Sequence, residues 1–446
     1  MNKLKVVSIL LSGVLLMASF GCAGSTDSEE PPVEGPTYWQ DVEPIIAGKC
    51  NMCHQEGGVG PFSFDSYENV AAMRDAISVA VTSRSMPPWL ADDNCGQNYV
   101  GDWTLSDSQI ETIRQWASNG APEGDQDSPQ AAVATADSWT EMSRVDLEVE
   151  MPVAYTPTSA PDDYRCFVVP WPETVATNVT GFVTQPGNDA IVHHVISYLV
   201  PPNRVEEALA KEAEDGEPGY PCYGSSGLGG QNLPWIGAWA PGGSGGDFPN
   251  GTGIRVEPGS AVILQAHYNV VTSNPAPDKS RMIFQITPEL DRIAALTPFT
   301  NYNWVTNGSM NIPANEVTTH TFSMPFTEWV HAYSGGKLRR HEAFTIHEVN
   351  FHMHKLGVSG SLEIIRESGE EECLLGITDW DFNWQIAYRL KQPVEFYPGD
   401  KLRVTCTWDN TVDNQPTSEA PRDLNWGDGT YDEMCLGILY LSQEEI

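Results

Sequence analysis

The motif C-x-x-C-H at residues 50–54 limits the folds open to this chain more than any other feature. Cys50 and Cys53 lie in the sequence CNMCH, directly before His54. This spacing is the attachment site of a c-type haem, in which two thiols bond the vinyl groups and the adjacent imidazole supplies an axial nitrogen. A redox C-x-x-C pair is the alternative, but it would need a βαβ context and no following histidine. The motif predicts one covalently attached haem c.

Helical patterns surround this motif. Residues 38–50 carry apolar side chains at helical spacing, with a proline that is tolerable only near the helix start. Residues 106–120 begin with Ser106 and Gln109 as a capping box and end at a glycine. Together these segments resemble the terminal helices of a class I cytochrome c, which implies a small all-α domain over residues 37–124.

The sixth ligand of such a haem is usually a methionine on a loop. Met86 in SRSMPPW precedes two prolines that favour an extended backbone. Met73 is the competing residue, but it lies in NVAAMRDAISVAV, a helical pattern in which methionine is more often a core residue. We therefore expect Met86 to complete the haem site.

The N-terminus predicts export. Residues 1–22 place two lysines before a short apolar run that ends in small residues at Cys22, as in a bacterial lipoprotein signal with a lipid-modified cysteine. An ordinary cleaved signal is the alternative. Residues 23–36 have the composition of a flexible tether, and no later segment is apolar enough to span a bilayer. We expect a periplasmic or cell-envelope protein, lipid-anchored to a bacterial membrane.

Charge argues against two classes of binding partner. The chain has 24 Lys and Arg against 60 Asp and Glu, a formal net charge of -36. Such a surface repels nucleic acid and anionic lipid headgroups.

The pattern changes from helical to alternating after the linker at residues 125–141. In KLRVTCTW the apolar residues from Leu402 to Trp408 share one face, and in RMIFQI residues Met282, Phe284 and Ile286 do. Short strands between Pro and Gly turns predict two antiparallel β-sandwiches, over residues 142–288 and 289–446.

Histidines recur within these strand-like runs. His352 and His354 in NFHMHKLG would share one face of a strand, about 7 Å apart, and could bind one metal ion. His193 and His194 are adjacent and would bind jointly only at a bulge or a strand end, while His267 lies on another run. A buried structural histidine and a zinc hydrolase, with Glu348 as its base, are the alternatives.

The order of the motifs HHV, LQAHYN, FHMHKLG and YDEMC resembles the copper type II ascorbate-dependent monooxygenases. The resemblance covers about residues 140–446 and implies two jelly-roll-like β-sandwich domains, each with one copper, facing each other across a solvent-filled cleft. One copper would transfer electrons and the other would bind O2 and attack a C–H bond. The resemblance assigns the first to His193, His194 and His267, and the second to His352, His354 and Met434.

The ligand types agree with that chemistry. Imidazoles suit copper in both oxidation states, and the thioether of Met434 favours Cu(I). A blue-copper carrier would instead need a thiolate such as Cys435, but the resemblance implies that Cys435 is in a disulfide, with Cys406 as its partner. The pairing of Cys95, Cys166, Cys222 and Cys373 stays open, with Cys166–Cys222 favoured.

Other conspicuous residues are interpreted as structural. The motif WDFNWQ at residues 380–385 is predicted to be sandwich core. Four histidines match no ligand position and are read as surface or hydrogen-bonded residues: His320, His331, His341 and His347.

One departure from the resembled family concerns the substrate. Its peptide-hydroxylating members grip a peptide carboxylate with residues at positions that here hold Asn350, Leu436 and Ile438. The cationic and polar clamp is missing, so a peptidyl-glycine substrate is disfavoured.

These observations predict an exported copper-dependent monooxygenase that hydroxylates a small organic substrate with O2. Electrons would come through the fused haem from a periplasmic cytochrome, a quinol-linked reductase or an ascorbate-like reductant. The linker would keep the haem near the copper at His193, His194 and His267. A non-catalytic copper and haem electron-transfer protein is the alternative, and O2 consumption coupled to product formation separates the two.

Overall fold

The computed structural model describes residues 35–51, 53–56, 60–128, 130, 142–214, 216–230, 232–240, 243, 245–270 and 274–444. The predicted signal, with Cys22, lies outside the described residues, as do most of the tether and of the linker. Within the described ranges, no helix is long and apolar enough to cross a membrane.

Four α-helices lie in the described N-terminal part: α1 (Glu43–Lys49), α2 (Tyr67–Ala72), α3 (Arg74–Thr82) and α4 (Asp107–Ser118). A π-helical turn over Tyr38–Val42 precedes α1, and both hydrogen bonds of the predicted capping box begin α4. Ile46 of α1 and Trp116 of α4 are fully buried in a common apolar core. Met73 lies between α2 and α3 and packs against this core.

Strands dominate the rest of the described chain. The first ten are β1 (Leu147–Glu150), β2 (Asp162–Pro170), β3 (Thr177–Gln185), β4 (Val192–Val200), β5 (Tyr220–Pro221), β6 (Trp235–Trp239), β7 (Gly246–Asp247), β8 (Thr252–Val256), β9 (Ala261–Asn269) and β10 (Arg281–Thr287). The remainder are β11 (Arg292–Phe299), β12 (Val317–Pro325), β13 (Phe344–His352), β14 (Gly357–Ile365), β15 (Glu371–Ile377), β16 (Tyr388–Phe396), β17 (Lys401–Asp409) and β18 (Leu436–Glu444). Three short helices lie among them: α5 (Val205–Glu212), α6 (Tyr302–Asn307) and α7 (Thr327–Tyr333).

The strands β1 to β10 form two facing layers. In one layer β1, β10, β3 and β8 are neighbours, with β7 beside β3, and in the other β5, β2, β9, β4 and β6 are neighbours. Phe167 and Leu264 of the second layer pack in one core with Met282 and Phe284 of the first. Burial of both inner faces is what holds such a sandwich together.

The strands β11 to β18 form a second pair of layers. The order β12-β17-β14-β15 makes one sheet, and β11, β18, β13 and β16 pair to make the facing layer. β11 also pairs with β6 and runs parallel to β8, so hydrogen bonding is continuous between the two halves. The histidines of both halves are therefore carried on one connected β framework.

The predicted alternation is present in β17 and interrupted in β10. Leu402, Val404, Cys406 and Trp408 are all fully buried, while their neighbours are half-buried or exposed. The pairing register of β10 with β3 shifts after Gln285, where β3 carries the extra residue, and Ile286 is half-buried. Ile286 still packs against the same core as Met282 and Phe284, as predicted for RMIFQI, although Ile283 and Gln285 between them are buried as well.

Candidate metal centre

Strand β4 begins with an irregularity that brings adjacent histidines to the same place. Its pairing with β9 shifts register between Val192 and His194, so His193 is the extra residue of a bulge. His267 lies opposite His194 on β9. One ligand atom from each of His193, His194 and His267 lies within 4.8 Å of the others, which is the arrangement a single metal ion requires.

A buried carboxylate orients His267. Its Nε2–H donates to Asp162 Oδ1 at 2.8 Å, which leaves Nδ1 facing His194 Nδ1 at 3.3 Å. The ring stacks on Tyr164, with 4.1 Å between ring centres. Burial alone would raise the pKa of Asp162, but hydrogen bonds from His267 and Thr430 lower this pKa to about 2. A carboxylate that fixes the tautomer of a ligating histidine is the usual support of a metal site.

His193 has no hydrogen bond to satisfy its ring. Both of its nitrogens are buried without a partner among the described residues, while its ring stacks on Phe382 at 4.6 Å. Burial lowers the pKa of His193 to about 3, so the imidazole is neutral. Unpartnered buried polar atoms are costly, and a metal ion would satisfy one of them. The three histidines therefore fit a bound copper ion.

The second group of histidines lies where β13 ends. The strand stops at His352, so His354 lies in the following loop, and the prediction that both residues share a strand face was wrong. The rings still converge, with 5.1 Å between their centres. His352 Nδ1 hydrogen-bonds Gln385 Oε1, and His354 Nδ1 hydrogen-bonds the Asp432 carbonyl at 3.1 Å. Both Nε2 atoms remain for a metal.

Glu433 holds this loop and was missed by the sequence analysis. Its carboxylate accepts hydrogen bonds from the backbone N–H of His354, the backbone N–H of Leu356 and the indole N–H of Trp408. Burial raises the pKa of Glu433 to about 8, and the accepted hydrogen bonds pull the pKa the other way. The carboxylate fixes the loop that carries His354, immediately beside Met434. The sequence signal was an acidic residue directly before the candidate methionine.

The loop of residues 380–385 contacts both groups of histidines. Phe382 stacks on His193 and meets His354 edge-on, with 6.0 Å between ring centres. Trp380 Nε1 donates to the His354 carbonyl at 3.1 Å. Trp380 and Phe382 are buried, but the segment is a loop between β15 and β16, so its interpretation as sandwich core missed its position between the histidines.

The two groups lie closer than a solvent-filled cleft would place them. The rings of His194 and His352 are 6.2 Å apart, and residues 380–385 pack against both groups. Met434 lines a cavity together with His194 and His352. His194, His352 and Met434 thus line a single cavity, and His193, His267 and His354 lie next to these two lining histidines.

That cavity is large enough for a small organic molecule. Its volume is about 620 Å³, and its walls are rich in aromatic side chains. Asn350, Leu436 and Ile438, which stand at the clamp positions of the resembled family, all line it. An ion pair of Glu348 and Arg389 at 3.3 Å also borders the cavity. The Glu348 carboxylate is therefore ion-paired with Arg389, which disfavours it as the base of a zinc hydrolase.

The haem motif forms one turn after α1. The backbone N–H groups of Cys53 and His54 both donate to the Cys50 carbonyl, at 3.1 and 2.9 Å. His54 Nδ1 hydrogen-bonds the Phe62 carbonyl at 2.9 Å, which leaves Nε2 for an axial bond. A Cβ at Gly60 would lie 2.6 Å from His54 Nδ1. A larger residue at position 60 would therefore clash with the imidazole in this orientation.

The cysteines divide into two sets. Within the described residues, Cys50 and Cys53 are the cysteines outside a disulfide. The other six form the pairs Cys95–Cys373, Cys166–Cys222 and Cys406–Cys435. Two unpaired thiols before a histidine fit covalent haem attachment. Met86 lies on a separate loop and is 42% exposed.

The four remaining histidines are hydrogen-bonded away from the cavity histidines. His320 bonds the Asn311 carbonyl, and His331 bonds the Leu338 carbonyl. His347 bonds Ser442 Oγ, and His341 accepts from Arg340. These partners agree with the structural interpretation.

Comparison with known proteins gives a family for part of the chain. Residues 307–444 match the model of the copper type II ascorbate-dependent monooxygenase, C-terminal domain. The matched segment contains His352, His354 and Met434, and it begins after β11. The match supports a copper monooxygenase.

Two curated relatives extend the similarity beyond that segment. The chain is 26% identical over 276 residues to DBH-like monooxygenase protein 1 of Homo sapiens, covering 58% of this chain and 40% of the relative. The Mus musculus protein of the same name is 26% identical over 278 residues, with the same coverage. The chain thus matches less than half the length of these relatives. Among solved structures, the major capsid protein P2 of bacteriophage PM2 aligns with a TM-score of 0.26 at 6% identity, over 67% of this chain and 98% of that one.

Proposed function

We propose that this chain is a copper-dependent monooxygenase that hydroxylates a C–H bond of a small organic substrate with O2, using electrons delivered through its own haem c. The observation that carries the proposal is the meeting of two groups of histidines beside one cavity, which His194 and His352 line. His193 of the first group has two buried ring nitrogens without a partner among the described residues. The family match over residues 307–444 supports it independently.

The proposed ligand sets follow the two groups of histidines. One copper ion would be held by His193, His194 and His267. The other would be held by His352, His354 and Met434. Bound copper would supply the one-electron redox chemistry with O2. Three protein ligands leave a coordination position open at the second site, which catalysis requires.

The chain's own groups would position these ligands and the substrate. Asp162 and Gln385 fix the ring orientations of His267 and His352, and Glu433 holds the loop that carries His354. Aromatic walls would exclude water from the reacting C–H bond. Leu436 and Ile438 give the cavity an apolar surface, which favours a substrate other than a peptide carboxylate.

The proposed location is the bacterial cell envelope. Three disulfides are typical of an oxidising compartment. Anchoring through a lipid on Cys22 would hold the enzyme at the membrane, where a periplasmic cytochrome, a quinol-linked reductase or an ascorbate-like reductant would supply electrons.

Metal content tests the proposal directly. The purified protein should contain two copper ions and one covalent haem, and His352→Ala should lose about one copper while its haem spectrum stays unchanged. His320→Ala is the matched control, because His320 bonds the Asn311 carbonyl and should keep both coppers. Preferential binding of zinc on reconstitution would contradict the proposal. Copper loading with O2 consumption but no product would favour the electron-transfer alternative.

A further inference from the structure

A segment between α3 and α4 joins the helical part to the second sandwich. Residues 89–103, here called the docking strap, make an isolated bridge from Ala91 to Ile377 of β15 and another from Tyr99 to Leu390 of β16. The disulfide Cys95–Cys373 crosslinks the strap to β15 across 278 positions of sequence. The helical part is therefore covalently fixed to the sandwich that carries His352.

The docking strap also touches both segments that would bind haem. Lys49, the residue before Cys50, donates from Nζ to the Asp102 carbonyl at 2.9 Å. Trp103 Nε1 donates to the Pro88 carbonyl at 2.8 Å, two residues after Met86. Trp103 therefore lies one hydrogen bond from the Met86 loop and follows Asp102, whose carbonyl accepts the hydrogen bond from Lys49.

From Trp103, aromatic contacts lead to the metal cavity. Its ring meets Trp384 edge-on, with 6.1 Å between ring centres. Trp384 is followed by Gln385, whose Oε1 accepts the hydrogen bond from His352 Nδ1. Trp103 and Gln385 both line the cavity. An unbroken series of contacts thus joins the haem segments to a candidate copper ligand.

Hydrogen bonding does not explain why position 384 holds a tryptophan. Its Nε1 is buried and has no partner among the described residues. A buried donor without a partner costs stability, so leucine would serve a purely packing role better at this position. An indole at this position is useful if its π-system takes part in electron transfer.

We propose that electrons pass from the haem to copper at His352 through Trp103, Trp384 and Gln385, with the docking strap as the fixed connection. Each transfer moves one electron, which oxidises haem iron from Fe(II) to Fe(III) and reduces copper from Cu(II) to Cu(I). Tunnelling rates fall steeply with the gap between redox groups, and packed aromatic rings shorten that gap. This inference rests on the proposed function. It replaces entry at the copper of His193, His194 and His267, which the resemblance and the linker had suggested.

The test uses the copper-loaded full chain without O2, so that turnover plays no part. The haem is reduced by flash photoreduction, and its reoxidation is followed by absorbance while the Cu(II) signal is followed by electron paramagnetic resonance. Trp384→Leu should slow haem reoxidation about tenfold or more. Trp384→Phe should stay near the wild-type rate because it keeps an aromatic ring. Trp171→Leu is the matched control and should leave the rate unchanged, because Trp171 is also buried with an unpartnered Nε1 among the described residues but lies in the core of the first sandwich, outside this series.

Ligand variants identify where electrons enter. Haem reoxidation should persist in His267→Ala, which keeps the copper at His352, and should slow in His352→Ala. Copper analysis and the haem spectrum of each variant show that folding and loading of the remaining sites are intact.

Different failures have different meanings. An unchanged rate in Trp384→Leu, or loss of reoxidation in His267→Ala but not in His352→Ala, would overturn the path while haem delivery of electrons stands. A wild-type haem that Cu(II) does not oxidise, in a protein that hydroxylates substrate with added ascorbate, would overturn both the path and haem delivery. Transfer without product formation under any reductant would leave the path in place and contradict the monooxygenase.

Discussion

Individual side chains decide which histidine nitrogens can bind a metal. His267 donates from Nε2 to Asp162, whereas His352 and His354 use Nδ1 for hydrogen bonds. Neither ring nitrogen of His193 has a partner among the described residues. Burial lowers the pKa of all these imidazoles, so the rings are neutral and ready to coordinate. The hydrogen-bond partners, rather than the histidines alone, thus set the geometry of each group.

Asp162→Asn tests the importance of such a partner. Asparagine keeps the shape but loses the charge that fixes the His267 tautomer, so copper affinity at His193, His194 and His267 should fall about 10–100-fold. Competition with a Cu(I) chelator measures this affinity. The copper at His352 should be unaffected. Equal affinity in the variant and the wild type would show that the carboxylate has no such role.

Met434→Ile tests the proposed thioether ligand. Isoleucine keeps an apolar side chain of similar size but has no sulfur, so Cu(I) binding at His352 and His354 should weaken and hydroxylation should be lost. X-ray absorption would show the loss of a sulfur scatterer from reduced copper. Unchanged turnover would mean that the oxygen site lies elsewhere.

At the level of secondary structure, strand ends and crosslinks bring the ligands together. β13 stops at His352, β18 starts two residues after Met434, and the disulfide Cys406–Cys435 ties β17 to that start. The loop of residues 380–385 then fills the space between the two groups of histidines.

Removing the Cys406–Cys435 disulfide should affect both stability and metal binding. The double change Cys406→Ser, Cys435→Ser removes a crosslink across 29 positions of sequence. This loss should lower the free energy of unfolding by about 3.5 kcal/mol. Copper retention at His352 should fall as well, because Met434 directly precedes Cys435.

The pair Cys166–Cys222 provides the control. The double change Cys166→Ser, Cys222→Ser removes a crosslink across 56 positions and should destabilise the chain by a similar amount. Copper at His352 should stay bound under native conditions. If both double variants lose this copper equally, the effect is general destabilisation. Thermal unfolding and copper analysis of the folded fraction distinguish the cases.

For the whole molecule, we expect the docking strap and the net charge to control the proposed supply of electrons. The strap holds the helical part on the second sandwich through Cys95–Cys373. The net charge of -36 repels anionic reductants and attracts cationic ones over a distance set by salt.

Added salt should therefore raise or lower the rate of haem reduction, depending on the charge of the reductant. Reduction by the ascorbate anion should speed up when ionic strength rises from about 0.02 to 0.2 M, because screening weakens repulsion. Reduction by a cationic hexaammineruthenium complex should slow down over the same range. Stopped-flow absorbance of the haem measures both rates. The same direction of change with both reductants would contradict electrostatic steering by the net charge.

Local patterns in the sequence were sufficient for the elements they describe. The capping box of Ser106 and Gln109, the helical period of α4 and the alternation in β17 depend on neighbours a few residues apart, and all are present. The mostly β architecture follows from the same alternation. The C-x-x-C-H motif is likewise a local pattern, and its thiols stay outside the disulfides of the described chain.

Tertiary structure alone decided how distant residues meet. The bulge at His193, the end of β13 at His352 and the position of residues 380–385 arise from pairing and packing with segments far along the chain. The pairing of Cys95 with Cys373 spans 278 positions and was left open by the sequence. Residue types and spacing determine which groups a chain carries. Their mutual distances depend on long-range contacts that no local pattern encodes.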